Sequence, residues 1–305
     1  VFSAAKLPKR SFWRARVHLS ARVPSLYPLA ERVEAMAGLD RAAKALQGAI
    51  NAAQSTSVKN VLNGDWLGHP VHPLLTDVPI GFWTSAAVLD VIGGKGGRKS
   101  ADRLLGLGIL AAVPTAATGA ANWADFNEAK SRRVGVVHAA ANTVALLCQV
   151  ASYRNRRRGR RLRAKAWSAG GLGALTMGGF LGGHLAYGQG LGVERTAWDD
   201  RPEGWVDAVA FDSLVEGTPV AARVGEVDVV VVRSAGGTVR ALTNRCNHMG
   251  GPLSEGEVAD GCITCPWHAS TFRLDDGSVV RTPAVARQAS WDTRVLDGMV
   301  QVSAR

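Results

Sequence analysis

The chain has 305 residues, with 36 Lys and Arg against 25 Asp and Glu, a formal charge of +11 with His neutral. That length allows about two domains. Four Cys in so long a chain exclude a disulfide-stapled mini-protein, and 47% hydrophobic residues exclude a disordered one. The basic balance raises a nucleic-acid reading that depends on where the charge sits.

Residues 1–25 are basic and irregular, with Lys6, Lys9, Arg10, Arg14, Arg16 and Arg22. They lack the apolar core of a secretory signal. His18 belongs to this leader and reads as a surface residue. From Leu29 the pattern is helical: Leu29, Val33, Met36, Ala43, Leu46 and Ile50 recur at spacings of three, four or seven. The charge on this helix is mixed, which favours packing on the rest of the protein over lying in a membrane interface. Leader and helix together span residues 1–60.

The next block, 61–192, changes character. Four stretches, 78–94, 104–123, 134–153 and 166–187, are nearly free of charge. Each approaches the roughly 20 residues a helix needs to cross a bilayer core, and each is rich in Gly and Ala, which let membrane helices approach closely. The expectation is a four-span transmembrane helical bundle. Lys95, Arg98, Lys99 and Arg103 lie between the first two stretches, and a run from Arg154 to Lys165 without an acid lies between the last two. The excess of Lys and Arg on those loops predicts that both are cytoplasmic, with the C-terminal part outside. The densest basic run is thus pinned between apolar spans, and no nucleic-acid partner is expected.

A Gly-rich stretch after Tyr187 and a link at 193–204 lead to residues 205–305. There β-branched runs at 227–232, 263–264, 279–280 and 300–302 are separated by Gly236-Gly237, Asp276-Gly277 and Asp297-Gly298. These are turn signals between short strands, and they predict a small all-β domain. Within it Cys246-Asn247-His248 is followed by Cys265-Pro266-Trp267-His268. Two thiolates and two imidazoles can hold tetrahedral zinc or an iron–sulfur cluster.

The pattern Cys-x-His and Cys-x-x-His, with the flanks NHMGGPL at 247–253 and CPWHASTF at 265–272, resembles the Rieske family. The resemblance covers about 205–305. It implies a [2Fe–2S] cluster with Cys246 and Cys265 on one iron and His248 and His268 on the other. Some Rieske domains join their two cluster loops by a disulfide; the matching positions here are Gly251 and Trp267, so that brace is not expected. The family's hydrogen-bond donors to the cluster match Ser270, which can donate, and Phe272, which cannot. Fewer donors imply a potential in the lower part of the roughly −150 to +300 mV Rieske range. The usual Gly after the last ligand is Ala269. Cys262 reads as a strand residue under the cluster loop, and Cys148 as a small apolar filler.

Four more histidines, His69, His72, His138 and His184, fall at one face of the spans, the face from which the β domain follows. Ionisable groups at membrane depth are functional candidates, and facing helices can hold a cofactor. The options are a b-type haem, a quinone pocket or a bare metal site, against a hydrogen-bonded cap on Pro-rich loops. The motif GHPVHP at 68–73 ahead of four apolar stretches also resembles a family of predicted four-helix membrane proteins; that resemblance implies architecture rather than activity.

The sequence therefore reads as a multi-domain protein, a four-span α-helical bundle plus an all-β Rieske domain, sited in the cell membrane with lipid and a redox protein as partners. Electron transfer between a membrane pool (quinone or haem) and that partner is the expected function. The alternatives are a ferredoxin-like subunit of a separate oxygenase or dehydrogenase, anchored by the helices, and a quinone oxidoreductase in its own right. No side chain is assigned a catalytic role.

Overall fold

The structure is a computed structural model and describes residues 26–305; the basic leader with His18 lies outside them. The helical pattern of 29–50 does not form one rod. It divides into α1 (Tyr27–Glu34), a single 3-10 turn at Ala37–Leu39, and α2 (Asp40–Ala52). Gly38, a poor helix former, sits in the break. Val33 packs in an apolar cluster with Val134, Leu181 and Leu185, and Ala43 is buried, whereas Met36 and Leu46 stay half exposed. The two pieces are clamped by Arg133, whose Nε and Nη2 donate to the Asp40 carboxylate at 2.7 and 2.6 Å while Nη1 donates to the Glu34 carbonyl at 2.6 Å. A short α3 (Thr56–Asn63) follows, capped by Ser55, which accepts the Val58 N–H.

Four long helices make the bundle: α4 (Val71–Ile92), α5 (Arg98–Trp123), α6 (Ala129–Arg157) and α7 (Arg161–Gly183). The first three are long and apolar enough to cross a membrane. At 1.5 Å per residue the shortest of them, with 22 residues, reaches about 33 Å, the thickness of a bilayer core. The fourth, α7, has 23 residues and many glycines, and is not among those three. Helix α4 begins earlier than expected. Pro70 caps it and Pro73 lies in its first turn, where a missing N–H costs nothing, so His72 is helical rather than in a loop.

The β domain begins at β1 (Val206–Ala210), β2 (Pro219–Val224), β3 (Val227–Arg233) and β4 (Val239–Thr243). Then come the short β5 (Glu257–Ala259), β6 (Cys262–Thr264), β7 (Thr271–Arg273) and β8 (Val279–Arg281), and finally β9 (Ser290–Leu296) and β10 (Met299–Ala304). One sheet has the order β1-β10-β9-β4-β3-β2 and the other β5-β6-β7-β8, with antiparallel pairing throughout. Strand β3 is buried on both faces. Val229 and Val231 join Trp291 and Val300 in one core, while Val230 and Val232 face a second core with Leu242, Ile263 and Phe272. That alternation puts the second core directly under the loops that carry Cys246 and Cys265.

Candidate metal centre

Two loops carry the four predicted ligands, one after β4 and one between β6 and β7. Each is wound on itself by backbone hydrogen bonds. In the first, Cys246 N donates to Gly251 O and Gly250 N to Cys246 O, both at 2.8 Å. In the second, Cys265 N donates to Ser270 O at 2.8 Å and Ala269 N to Cys265 O at 3.0 Å. Ala269 takes the left-handed φ of +58° that the loop demands, although it carries a Cβ. The expected glycine-like geometry is thus kept by an alanine.

A third segment, 283–288, braces both loops. Gln288 accepts the Asn247 N–H at 2.9 Å and donates to the Thr243 and Arg245 carbonyls at 2.7 and 2.8 Å. The Asn247 amide donates back to the carbonyls of Ala286 and Arg287. Ser270 is fully buried, and its Oγ accepts the Ala284 N–H at 2.9 Å. Its own O–H is left to donate elsewhere. Phe272 lies in the core beneath.

The donor atoms converge as two pairs. Cys246 and Cys265 are buried and share a hydrogen bond; the accepting Cys265 is lowered to about 6, while Cys246 is pushed up. The His248 and His268 rings stand edge to face with centroids 4.9 Å apart. Burial, with repulsion from His268 and Arg195, lowers His248 to about 3, and burial lowers His268 against the pull of Glu128 and Asp125. Both imidazoles are therefore neutral and ligand-competent at neutral pH. The Nδ1 of His248 is buried with no hydrogen-bond partner. An orphaned ring nitrogen facing a second imidazole, beside two buried thiols, suits a [2Fe–2S] cluster. Among the described residues no three His, Cys, Asp or Glu side chains converge on a single ion, and a two-iron cluster needs only the two pairs.

All four cysteines are free. Where a brace between the loops would sit, Gly251 lies flat beneath Trp267. A Cβ built there would stand 2.9 Å from Cys265 Sγ and from the Trp267 ring. Cys262 is not packed under the loop: it alternates with buried Ile263, is partly exposed, and its Sγ points to the Asp260 carbonyl at 3.6 Å.

The histidine edge is turned onto the helical domain. A cavity of about 10 Å³, at the lower limit for one water, is bounded by His248, Met249 and His268 on one side and Asp125, Phe126 and Glu128 of the α5–α6 turn on the other. Asn127 in that turn donates to the Trp267 carbonyl at 2.9 Å. Further along, α3 wedges between the domains: Asn60 donates to Val280 O at 3.0 Å and accepts the Thr282 N–H, and Asn63 donates to Thr282 Oγ1 at 2.9 Å. Asn122 passes the network on to Asn63 at 2.7 Å. Asp125 is raised by burial, opposed by its ion pair with Lys59. Arg195 in the link donates its N–H to Asn247 O at 2.9 Å. None of these contacts had a sequence signal, since each joins residues far apart in the chain.

Of the four bundle histidines the structure pairs two. His72 and His138 have ring centroids 6.5 Å apart. His184 instead meets Glu34 at 2.8 Å, with Tyr27 at its edge, and His69 reaches only the neighbouring Pro70 carbonyl.

Two buried thiols and two neutral imidazoles on facing loops of a small β domain define an iron–sulfur electron-transfer protein, here joined to helices of membrane type. Residues 204–292 match the Rieske [2Fe–2S] domain and residues 68–195 the family described as predicted membrane protein (DUF2231), so the chain belongs to the Rieske [2Fe–2S] family as a fusion with that helical domain. It is 31% identical to the anthranilate 1,2-dioxygenase ferredoxin subunit of Burkholderia cepacia over 32% of this chain and 91% of that protein. It is 33% identical to the oxygenase component of the 3-ketosteroid-9-alpha-monooxygenase of Mycobacterium tuberculosis, over 32% of this chain and only 27% of that protein. Among solved structures, the ferredoxin of carbazole 1,9a-dioxygenase from Nocardioides aromaticivorans is 28% identical, covering 34% of this chain and all of that one, with a TM-score of 0.32.

Proposed function

We propose that the protein relays single electrons between a membrane redox pool, quinone or haem, and a partner protein. In this reading α4–α7 are four spans of the cell membrane, with both basic loops cytoplasmic and the β domain outside. The observation that carries the proposal is the seating of His248 and His268 on the α5–α6 turn, with space for one water between the domains. A carrier serving only soluble partners gains nothing by turning this edge toward its anchor. Exposed Trp66 lies just before α4 and exposed Tyr187 just after α7, at the same end of the bundle, where aromatic side chains favour a membrane interface.

The cluster, when bound, supplies the one-electron chemistry. The chain's own residues do the rest. Cys246, Cys265, His248 and His268 hold it, and Gln288, Asn247 and Ser270 fix the loops. Asn127 and Asn63 set the domain against the bundle. The similarity to a dioxygenase ferredoxin subunit supports a second reading, in which the helices only anchor a subunit that serves a separate oxygenase. Reduction of the full chain in lipid nanodiscs separates the two. The relay reading expects a lipid-soluble hydroquinone to bleach the Rieske absorption. Bleaching by a soluble flavoprotein reductase alone supports the anchored subunit and defeats the relay. Reporter fusions at the C-terminus test the orientation: activity only for a cytoplasmic reporter overturns it.

A further inference from the structure

We infer that His72 and His138 are the two axial ligands of a porphyrin-bound iron held inside the helical bundle. The inference rests on the reading of that bundle as a membrane redox module and names its cofactor class. His72, on α4, has its Nδ1 2.9 Å from the Thr115 carbonyl of α5. His138, on α6, has its Nδ1 2.8 Å from the Gly178 carbonyl of α7. A carbonyl only accepts, so each Nδ1 carries the proton and each Nε2 keeps its lone pair. That is the tautomer and second-atom anchoring of a metal-bound imidazole.

The arrangement is duplicated in the two helix hairpins. Four residues beyond each carbonyl, on the same helix face, stands a glycine pressed against the ring. A Cβ on Gly119 would lie 2.6 Å from His72 Cε1, and one on Gly182 would lie 3.1 Å from His138 Cε1. Each ring is thus held by a partner carbonyl and set against a glycine, with no room for a Cβ at Gly119 and little at Gly182.

The ring centroids are 6.5 Å apart and the planes cross at 81°. Two imidazole nitrogens each about 2.0 Å from one metal ion, in line, put the centroids roughly 6 Å apart. A bare ion is disfavoured by ligand count: among the described residues no third His, Cys, Asp or Glu joins the pair, and two imidazoles do not complete a protein site. A porphyrin supplies four nitrogens itself and asks the protein for only the axial positions. The Asn142 amide lies 3.2 Å from His138 Nε2 and also donates to the His138 carbonyl at 3.0 Å, so it can release the nitrogen and keep that bond. His69 and His184, tied to Pro70 and Glu34, take no part. Helix α5 ends at Trp123, four residues past Gly119 and about 6 Å along the axis, and the turn that meets His268 follows. A second one-electron centre would therefore lie close beneath the first.

The test is the full chain purified in detergent from haem-replete cells, then incubated with haemin. A low-spin, bis-imidazole spectrum at one haem per chain is expected. His72→Ala and His138→Ala should each convert it to high spin or lose it, with the Rieske paramagnetic signal retained as the check on folding. Gly119→Val, which pushes the ring aside without removing it, should do the same. His69→Ala and His184→Ala should leave it unchanged. Absence of low-spin haem from the wild-type protein, or its survival in both His72→Ala and His138→Ala, overturns the inference. An intact Rieske signal without haem defeats this inference alone, whereas a missing Rieske signal defeats the electron-transfer reading itself.

Discussion

The two ends of the helical bundle are closed by different chemistry. At one end charge does the work. Arg156, its side chain 1% exposed, pairs with both Asp90 and Asp102; Arg161 also holds Asp102, and Lys165 donates to the Asp90 carbonyl. At the other end amides join the ion pairs Arg133–Asp40 and Lys59–Asp125. Gln47 and Asn51 donate to carbonyls at the end of α5 and in the turn after it, and Asn63, Asn122 and Asn127 link the bundle to the β domain. A buried ion network fixes one arrangement firmly, because any lost partner strands a charge. Neutral amides hold two domains in register at little cost, since losing one strands no charge. The first end is built to stay shut, and the second to carry a docking surface.

Several substitutions would break or sharpen that contrast. The largest effect belongs to the cluster: Cys265→Ser should abolish the visible Rieske absorption and paramagnetic signal while leaving far-ultraviolet helicity intact. Persistence of the signal would show that Cys265 is not a ligand. Next, Arg156→Ala strands Asp90, since Lys165 reaches only its carbonyl, and should cost about 3–5 kcal/mol in mixed-micelle denaturation. A loss under about 1 kcal/mol would mean that the charged end is not a lock.

Asn127→Ala should cost only about 1 kcal/mol, the net worth of one hydrogen bond. It should speed amide exchange in 262–282 without altering the bundle; unchanged exchange would show that the turn does not hold the β domain. Ala269→Gly should stabilise the cluster loop by about 1 kcal/mol, since glycine takes a φ of +58° without the Cβ clash. A fall in stability would mean that the Ala269 methyl packs usefully.

The smallest effect is a pH dependence at α1. The His184 hydrogen bond, with help from Gln189 and Lys130, holds the Glu34 carboxyl below its ordinary value against burial. A carboxyl lowered in the fold contributes stability that is full above the ordinary glutamate pKa of about 4.3 and is lost as the pH falls from there through the lowered folded value. Amide exchange in 27–34 should therefore rise on acidification and lose this dependence in Glu34→Gln. A dependence unchanged by that substitution would place its source elsewhere.

The proposed ligands stand out because cluster chemistry is local: Cys246, His248, Cys265 and His268 pair by type and spacing in the sequence. The long helices were legible for the same reason, from runs without charge. What sequence could not give was contact across distance. Asn127 meets Trp267 from 140 positions away, and an asparagine in a turn carries no periodicity that would point there. The start of α4 was misplaced because Pro70 and Pro73 suggest a loop, although a first helical turn accepts proline. The rod expected over 29–50 failed at Gly38, where an apolar spacing of seven ran straight across a break.

The flat approach of Gly251 beneath Trp267 bears on how this domain can change over generations. A cysteine at 251 alone would drive its Cβ into Cys265 and the indole. A cysteine at 267 alone would surrender the ring that covers the loop and find no thiol opposite. The covalent brace used by some relatives is therefore two simultaneous substitutions away, with a poorer loop at either intermediate step. Held by packing instead, the loop pair contains nothing for a thiol reductant to cut.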